Sequence, residues 1–313
     1  MTAPTARPAP VGAPVATPGT TTAGGPEPRA GTVVGVLVAV AAGVLVAVLW
    51  SYEFVDDVVG GSITRLVLGA DRAVDPGLVG ALVFAVAAGL AGTFTACNIA
   101  CFASIGPLAA RSGSTGASRG ALVRHAAGQL GWLALGMSAV AAVYGAVVIA
   151  AGDRAPMLSD ATVAGLPARL AQASVINVLF GVGLAVVASR YLAGRPSRSR
   201  LGVLGLGALL GLLVVGRPFP MFREVLDHVV AAGPLAGTGM LVLVVLGNLA
   251  VVAVVYLAFV AVAGPALQRF VLRHQRGVLR VSGLLLLALA AFSVAYWGLR
   301  IPAMFGLGWF PSV

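Results

Sequence analysis

The chain has 313 residues, of which 59% are hydrophobic and 10% charged, and its mean hydropathy is +1.01. About a quarter of an average soluble domain is charged, so a soluble globular protein is excluded, and there is apolar sequence enough for several membrane spans of about 20 residues each. The formal net charge of +10 comes from 20 basic residues, all arginine, against 10 acidic ones; they are spread between long apolar runs instead of clustered on one face, which argues for loops at a membrane and against a nucleic-acid surface.

Residues 1 to about 30 are Pro, Ala, Thr and Gly with two Arg and one Glu, a composition that buries no core and predicts a disordered tail. The apolar run Thr32–Trp50 follows. A cleaved signal peptide is the rival reading, but the tail before it is too long and Trp50-Ser51-Tyr52-Glu53 offers no small-residue cleavage site, so the run is expected to remain as a first span. Six further spans are predicted, at about 78–98, 127–150, 171–189 and 201–216, within 229–268, and at 281–299. The uncharged stretch from Pro76 to Ala110 is too long for one straight span and is expected to break near Gly106-Pro107. The expected fold is thus an all-α, polytopic membrane bundle of about seven helices. It divides into a tail (1–30), an N-terminal helix with its outer loop (31–75) and two three-helix groups (76–200 and 201–313).

The arginines orient this arrangement. With the N-terminus inside, 13 arginines fall in inner segments and 7 in outer ones, the sense that the positive-inside rule requires, and every acidic residue except Glu27 falls outside. The expected location is the cell membrane, with the N-terminus cytoplasmic and the C-terminus extracytoplasmic.

Three spans per group is an odd number, so the two groups have opposite orientation. Each opens with a span that ends in an interrupted motif: Thr93–Pro107, containing Cys97, Cys101 and Gly106-Pro107, and Gly216–Glu224, containing Pro218, Pro220 and Met221. Each motif is followed by a Gly-Pro-Leu-Ala string, Gly106–Ala109 and Gly233–Ala236. Interrupted spans at matching places of inverted halves point to a site near the middle of the membrane. Two prolines two apart do not fit a regular helix interior, so Pro218–Phe222 is either an exit loop or a re-entrant piece lining a cavity.

The cysteines are the only two in the chain. On a helix, Cys97 and Cys101 share a face with Thr93 and Ser104. Two chemistries use such a pair. One is thiol–disulfide exchange, in which one thiolate attacks and the other resolves. Regular i,i+4 geometry holds the Cβ atoms too far apart for a disulfide, so this use requires the backbone to loosen near Pro107. The other is binding of a soft ion, copper(I) or zinc, for which the spacing is good; His125, with Gln129 on the same helix face, or Met221 would complete that site. Cysteine is also an ordinary small buried residue, which leaves packing as the plain alternative. Arg217, Arg223, Glu224, Asp227 and His228 form a charged outer cluster that reads as a solvated loop with local pairing. Asn177 and Asn248 lie within spans, where helix–helix packing is the expected role. The chain has no phosphate-binding Walker A loop and no Asp or Glu inside a span, which argues against an ATPase subunit and against a carrier driven through membrane carboxylates. The few His and carboxylates argue against a haem enzyme.

The two inverted three-span groups, with a Cys- and Pro-containing motif closing the first span (Cys97, Cys101, Pro107), resemble the DsbD/CcdA family of transmembrane electron carriers over about residues 76–300. In that family one cysteine from each half forms a redox pair, which takes electrons from cytoplasmic thioredoxin and passes them to thiol proteins outside, often for cytochrome c maturation. The resemblance implies a thiol–disulfide oxidoreductase with no bound cofactor, partnered by the lipid bilayer, thioredoxin and an outer thiol protein. Here both cysteines lie in the first half, and the second motif has Pro218, Pro220 and Met221 in place of a thiol. The Cys-x3-Cys spacing is similar to the related membrane proteins of the urease-accessory/sulfite-exporter type, some linked to metal handling, and implies the alternative of a transporter for copper, zinc or a small solute.

Overall fold

The computed structural model describes residues 30–50, 77–91, 118–195, 199–216 and 220–311. Within them the chain forms α1 (Ala30–Leu49), α2 (Leu78–Ala91), α3 (Arg119–Ala151), α4 (Ala168–Leu192), α5 (Arg200–Val215), α6 (Pro220–Arg273) and α7 (Gln275–Ala295), followed by a π-helical turn (Tyr296–Arg300) and the short α8 (Ile301–Met304). Five helices are long and apolar enough to cross a membrane, and α2 and α5 are apolar but shorter. The architecture is therefore an all-α bundle of multi-pass membrane character. One small departure is the connection between α3 and α4, where β1 (Thr162–Val163) and β2 (Leu166–Pro167) pair antiparallel around Ala164-Gly165, both with positive φ.

Local chemistry explains where the helices begin. Ser118 and Ser199 stand at the N-caps of α3 and α5, and their Oγ atoms accept from the backbone N–H of Ala121 and Gly202, at 3.4 and 3.1 Å. Each satisfies a donor that the first helical turn leaves unpaired. The interior is apolar: Phe84, Leu133, Leu213, Leu226 and Leu241, from α2, α3, α5 and α6, belong to one buried cluster that also takes in Leu184 of α4 and Leu286 of α7. The outer surfaces are apolar too. Leu37, Val143 and Val262 are 64%, 66% and 79% exposed, a girdle that a bilayer covers and water would not.

Glycines set how closely the helices approach. At the α3–α5 crossing, a Cβ on Gly207 would collide with the Leu133 carbonyl and one on Gly136 with the Leu204 carbonyl. At the α2–α6 crossing, Gly89 lies against the Val244 carbonyl and Gly247 against that of Val86. In lipid, where apolar surface gives helices little reason to associate, such backbone contact is a main source of cohesion. The pairings overall are α2 on α6, α5 on α3, α3 on α6, α4 on α7 and α1 on α7.

The same contacts give the relative sense of the helices. Leu133 meets Gly207 and Met137 meets Gly211, so α3 and α5 run together; Gly31, Gly35 and Gly43 meet Arg280, Leu284 and Ala288, so α1 and α7 do as well. Leu122 meets Gly264 while Gly145 meets Thr238, so α6 runs against α3. Gly183 meets Leu209 while Ile176 meets Gly216, so α4 runs against α5; Gly181 meets Ala290 while Gly283 meets Ala188, so it also runs against α7. One end of the bundle consequently gathers the starts of α3, α5 and α7 and the ends of α4 and α6. Nine described arginines lie there, namely Arg119, Arg124, Arg190, Arg195, Arg200, Arg269, Arg273, Arg276 and Arg280, with no acidic residue among the described positions at that end. The opposite end holds Asp153, Asp160, Glu224 and Asp227 with Arg154, Arg169, Arg223 and Arg300.

Two features modify the predicted spans. The segment expected within 229–268 is the middle of α6, which turns a sharp corner at Gly233 (φ 81°, ψ −178°), a conformation open to glycine. A Cβ on Gly237 would collide with the carbonyl of Val229, two positions that a straight helix would hold about 12 Å apart. Before the corner, residues 222–229 are amphipathic: Phe222, Val225, Leu226 and Val229 are buried, while Glu224 and Asp227 are exposed. The other feature is at the C-terminal end of α1. Arg300, in the π-helical turn, donates 2.7 Å hydrogen bonds to the carbonyls of Ala47 and Trp50, and its guanidinium lies 5.6 Å from the Tyr296 ring centre. Arg280 donates to the Gly31 carbonyl near the start of α1. Arg300→Ala is expected to loosen α1 from α7 at a cost of about 2 kcal/mol, the range for hydrogen bonds from a charged donor; thermal unfolding followed through tryptophan emission, with Trp50 beside Phe292, measures it.

Candidate functional site

The two interrupted motifs are reached through the helices that flank them. Cys97, Cys101 and Pro107 lie outside the described residues, as does Pro218. The predicted span 78–98 is described as helix to Ala91. Just before that point Gly89 is pressed against α6 beside Asn248, which is buried. The chain thus enters the cysteine motif from a tight helix crossing with a buried amide at its side.

The second motif is better framed. α5 ends at Gly216, where a Cβ would collide with Ile176 of α4. Pro220 is the first residue of α6, the position where its fixed φ and missing N–H suit a helix start. The side chain of Met221 lies outside the described part. Phe222 is buried and stacks on Tyr144 of α3, with ring centres 6.4 Å apart and planes 20° apart. The Tyr144 hydroxyl accepts from Gln172 Nε2 at 2.8 Å. Gln172 and Ile176 are four apart and share a face of α4. The first turn of α6 is therefore joined to α3 by an aromatic pair, and through the Tyr144 hydroxyl to the Gln172 amide of α4.

A second polar strip runs along the other face of α4. Ser174 and Asn177 precede Gly181, which packs against Ala290 and Val294 of α7, and Val178 lies against Gly298 in the π-helical turn. Asn177 is buried and donates from Nδ2 to the Ala173 carbonyl at 2.9 Å. Ser174 Oγ is buried with no hydrogen-bond partner among the described residues.

His125 is exposed on α3 at the arginine-rich end, three residues before Gly128. Gln129, on the same helix, has a buried Oε1 with no hydrogen-bond partner among the described residues. The outer charges are arranged otherwise than local pairing suggests. Arg223 reaches the α3–α4 connection, where its Nη2 donates to the Leu158 carbonyl at 3.2 Å and to Asp160 at 3.3 Å. His228 instead bonds the Glu224 carbonyl through Nδ1 at 2.7 Å and lies beside Phe84 of α2. The Asp160 side chain is 89% exposed, so this ion pair contributes little to stability and serves to fasten the connection onto α6.

Among the described residues no group of three His, Cys, Asp or Glu could hold a metal ion. The chain's thiols are confined to the first motif. The cluster of Tyr144, Gln172 and Phe222 was missed by the sequence reading, although Gln172 is a polar residue at the start of an apolar run and so carried a signal. Its partner Tyr144 lies 28 positions away and Phe222 joins only through that ring, and no spacing rule connects them. Comparison with protein-family models, with curated proteins and with solved structures gives no match.

Proposed function

We propose that the protein carries reducing equivalents across the cytoplasmic membrane, with Cys97 and Cys101 as its dithiol–disulfide pair, in the manner of the DsbD/CcdA family. The observation that carries this reading is the pattern of helix pairing. Exchanging α2, α3 and α4 with α5, α6 and α7 turns the α2–α6 contact into the α5–α3 contact and leaves the α3–α6 and α4–α7 contacts as they are. α3 runs against α6 and α4 against α7, as two inverted halves require. The glycine crossings supply a register: the shift that carries Gly89 to Gly207 carries Cys97 to Val215 and Cys101 to Phe219. In this register Cys97 corresponds to the last residue of α5 and Cys101 to the residue just before α6.

The exchange balances with thioredoxin as reductant. A thioredoxin thiolate attacks the Cys97–Cys101 disulfide and forms a mixed disulfide, which the second thioredoxin thiol then resolves. Thioredoxin is oxidised by two electrons, and both thiols of the pair are released reduced. The reduced pair then attacks the disulfide of an outer thiol protein in the same way. The arginine-rich end is the cytoplasmic one in this scheme, with the N-terminus inside and the C-terminus outside. A reporter fused after Val313 should accordingly read as extracytoplasmic; a cytoplasmic signal would remove one span and with it the inverted halves.

Thioredoxin lacking its resolving cysteine tests the chemistry. It should form a stable mixed disulfide with oxidised wild-type protein and none with Cys97→Ser or Cys101→Ser, which have no disulfide to attack. Copper or zinc bound in the wild type and lost in either variant, with no mixed disulfide formed, would instead assign the thiols to a transported soft ion.

A further inference from the structure

We infer that the groove between α4 and α5 at the arginine-rich end is a binding site for one acyl chain of an anionic phospholipid, with the lipid phosphate held by Arg190. The two helices touch at Gly183 and Leu209 and separate toward the end of α4 and the start of α5. The space between them is about 390 Å³, within the range of small-molecule sites. Its walls are apolar, including Val187, Val203, Leu206 and Leu209, and Arg190 stands at its end. Val186, on the groove wall, is 55% exposed, so the groove is open along the side that the apolar girdle turns toward lipid.

Charge selects the occupant. The mouth lies in the end of the bundle that carries nine described arginines and no described acid, and Arg195 and Arg200 flank it in the chain. A basic pocket between membrane helices at such an end suits an anionic headgroup, and each arginine near the surface adds about 1 kcal/mol to its attraction. Arg200 is turned onto the Trp132 ring, 5.8 Å from its centre, whereas Arg190 is exposed and lines the groove. An apolar slot ending at an arginine, in an end with no described acid, suits a lipid whose head is net negative better than one whose phosphate is balanced by choline. A Cβ on Gly205 would meet nothing within 4 Å, and Gly205 lines the groove; a large side chain there would occupy the space meant for the lipid without striking a helix.

The test uses full-length protein, delipidated in detergent and titrated with phosphatidylglycerol or phosphatidylcholine, with bound lipid counted by native mass spectrometry. Wild type should retain one phosphatidylglycerol in preference to phosphatidylcholine. Arg190→Gln should reduce that preference about fivefold, equivalent to about 1 kcal/mol, while Arg273→Gln, an exposed arginine at the same end but away from the groove, should leave it unchanged. Gly205→Phe should remove the retained lipid with thermal stability kept; should that variant not fold, the arginine pair decides alone. Equal retention of the two lipids by wild type, an equal effect of Arg190→Gln and Arg273→Gln, or a folded Gly205→Phe that still retains phosphatidylglycerol would each overturn the assignment.

Discussion

Gly207→Val should lower the stability of the folded protein strongly, and Gly89→Val should do the same to a similar degree. At Gly207 the added Cβ meets the Leu133 carbonyl, and at Gly89 it meets the Val244 carbonyl. These obstacles are backbone atoms of a neighbouring helix, which cannot rotate away as a side chain can. Overpacking an ordinary core costs about 1–3 kcal/mol. Here relief requires two helices to separate and give up their whole contact, so a loss at or above the upper end of that range is expected, against a total stability of about 5–15 kcal/mol. Gly128 is the control: a Cβ there meets nothing within 4 Å, and Gly128→Ala should hold or raise stability, since glycine in a helix costs about 0.5–1 kcal/mol relative to alanine. Thermal stability by size-exclusion chromatography after heating reads all three. If Gly89→Val were tolerated while Gly207→Val was not, the two crossings would not be equivalent and the argument for exchangeable halves would lose its register.

Replacing either cysteine should abolish electron transfer completely. In the proposed exchange one thiolate attacks and the other resolves, and a serine hydroxyl does neither at neutral pH. Cys97→Ser and Cys101→Ser should therefore be equally inactive in an assay of outer-thiol reduction driven by thioredoxin, and the double variant no worse than either. A membrane-permeant maleimide should label the wild type only after reduction and should label each single variant without it. Activity retained by one variant would mean that its cysteine is packing, and the pair would cease to be the redox centre. Labelling indifferent to reductant but blocked by copper(I) or zinc would move both residues to the transport reading.

Much of the secondary structure could be read from the sequence, because a membrane leaves the backbone few choices. In a chain this apolar, each long uncharged run has to satisfy its own N–H and C=O groups and does so as a helix. The runs predicted at 127–150 and 171–189 accordingly lie within α3 and α4, and the run at 201–216 matches α5 to within one residue at each end. The ends of α3 and α4 extend further, since polar terminal turns carry no hydropathy signal; α3 begins at Arg119, eight residues before its apolar run, behind the Ser118 cap. The identity of the glycines was legible, but which helix each one meets was not.

The chain's own order determined the helices, their alternation and the segregation of arginine from acid, because hydrophobicity and charge act residue by residue along the sequence. Tertiary structure decided the rest. That Gly136 lies on α5 and Gly247 on α2 depends on how three-dimensional surfaces fit, and many glycines offer equivalent crossings in one dimension. The corner at Gly233, which divides a run that reads as continuous, exists because Gly237 then packs on Val229. Arg223 is paired with Asp160, not with its sequence neighbours Glu224 and Asp227, because the α3–α4 connection is brought beside α6 only when α3 and α6 pack against each other. Contacts of this kind form between groups distant in sequence, where the energy comes from close backbone approach and from burial, and neither is a property of any local window of residues.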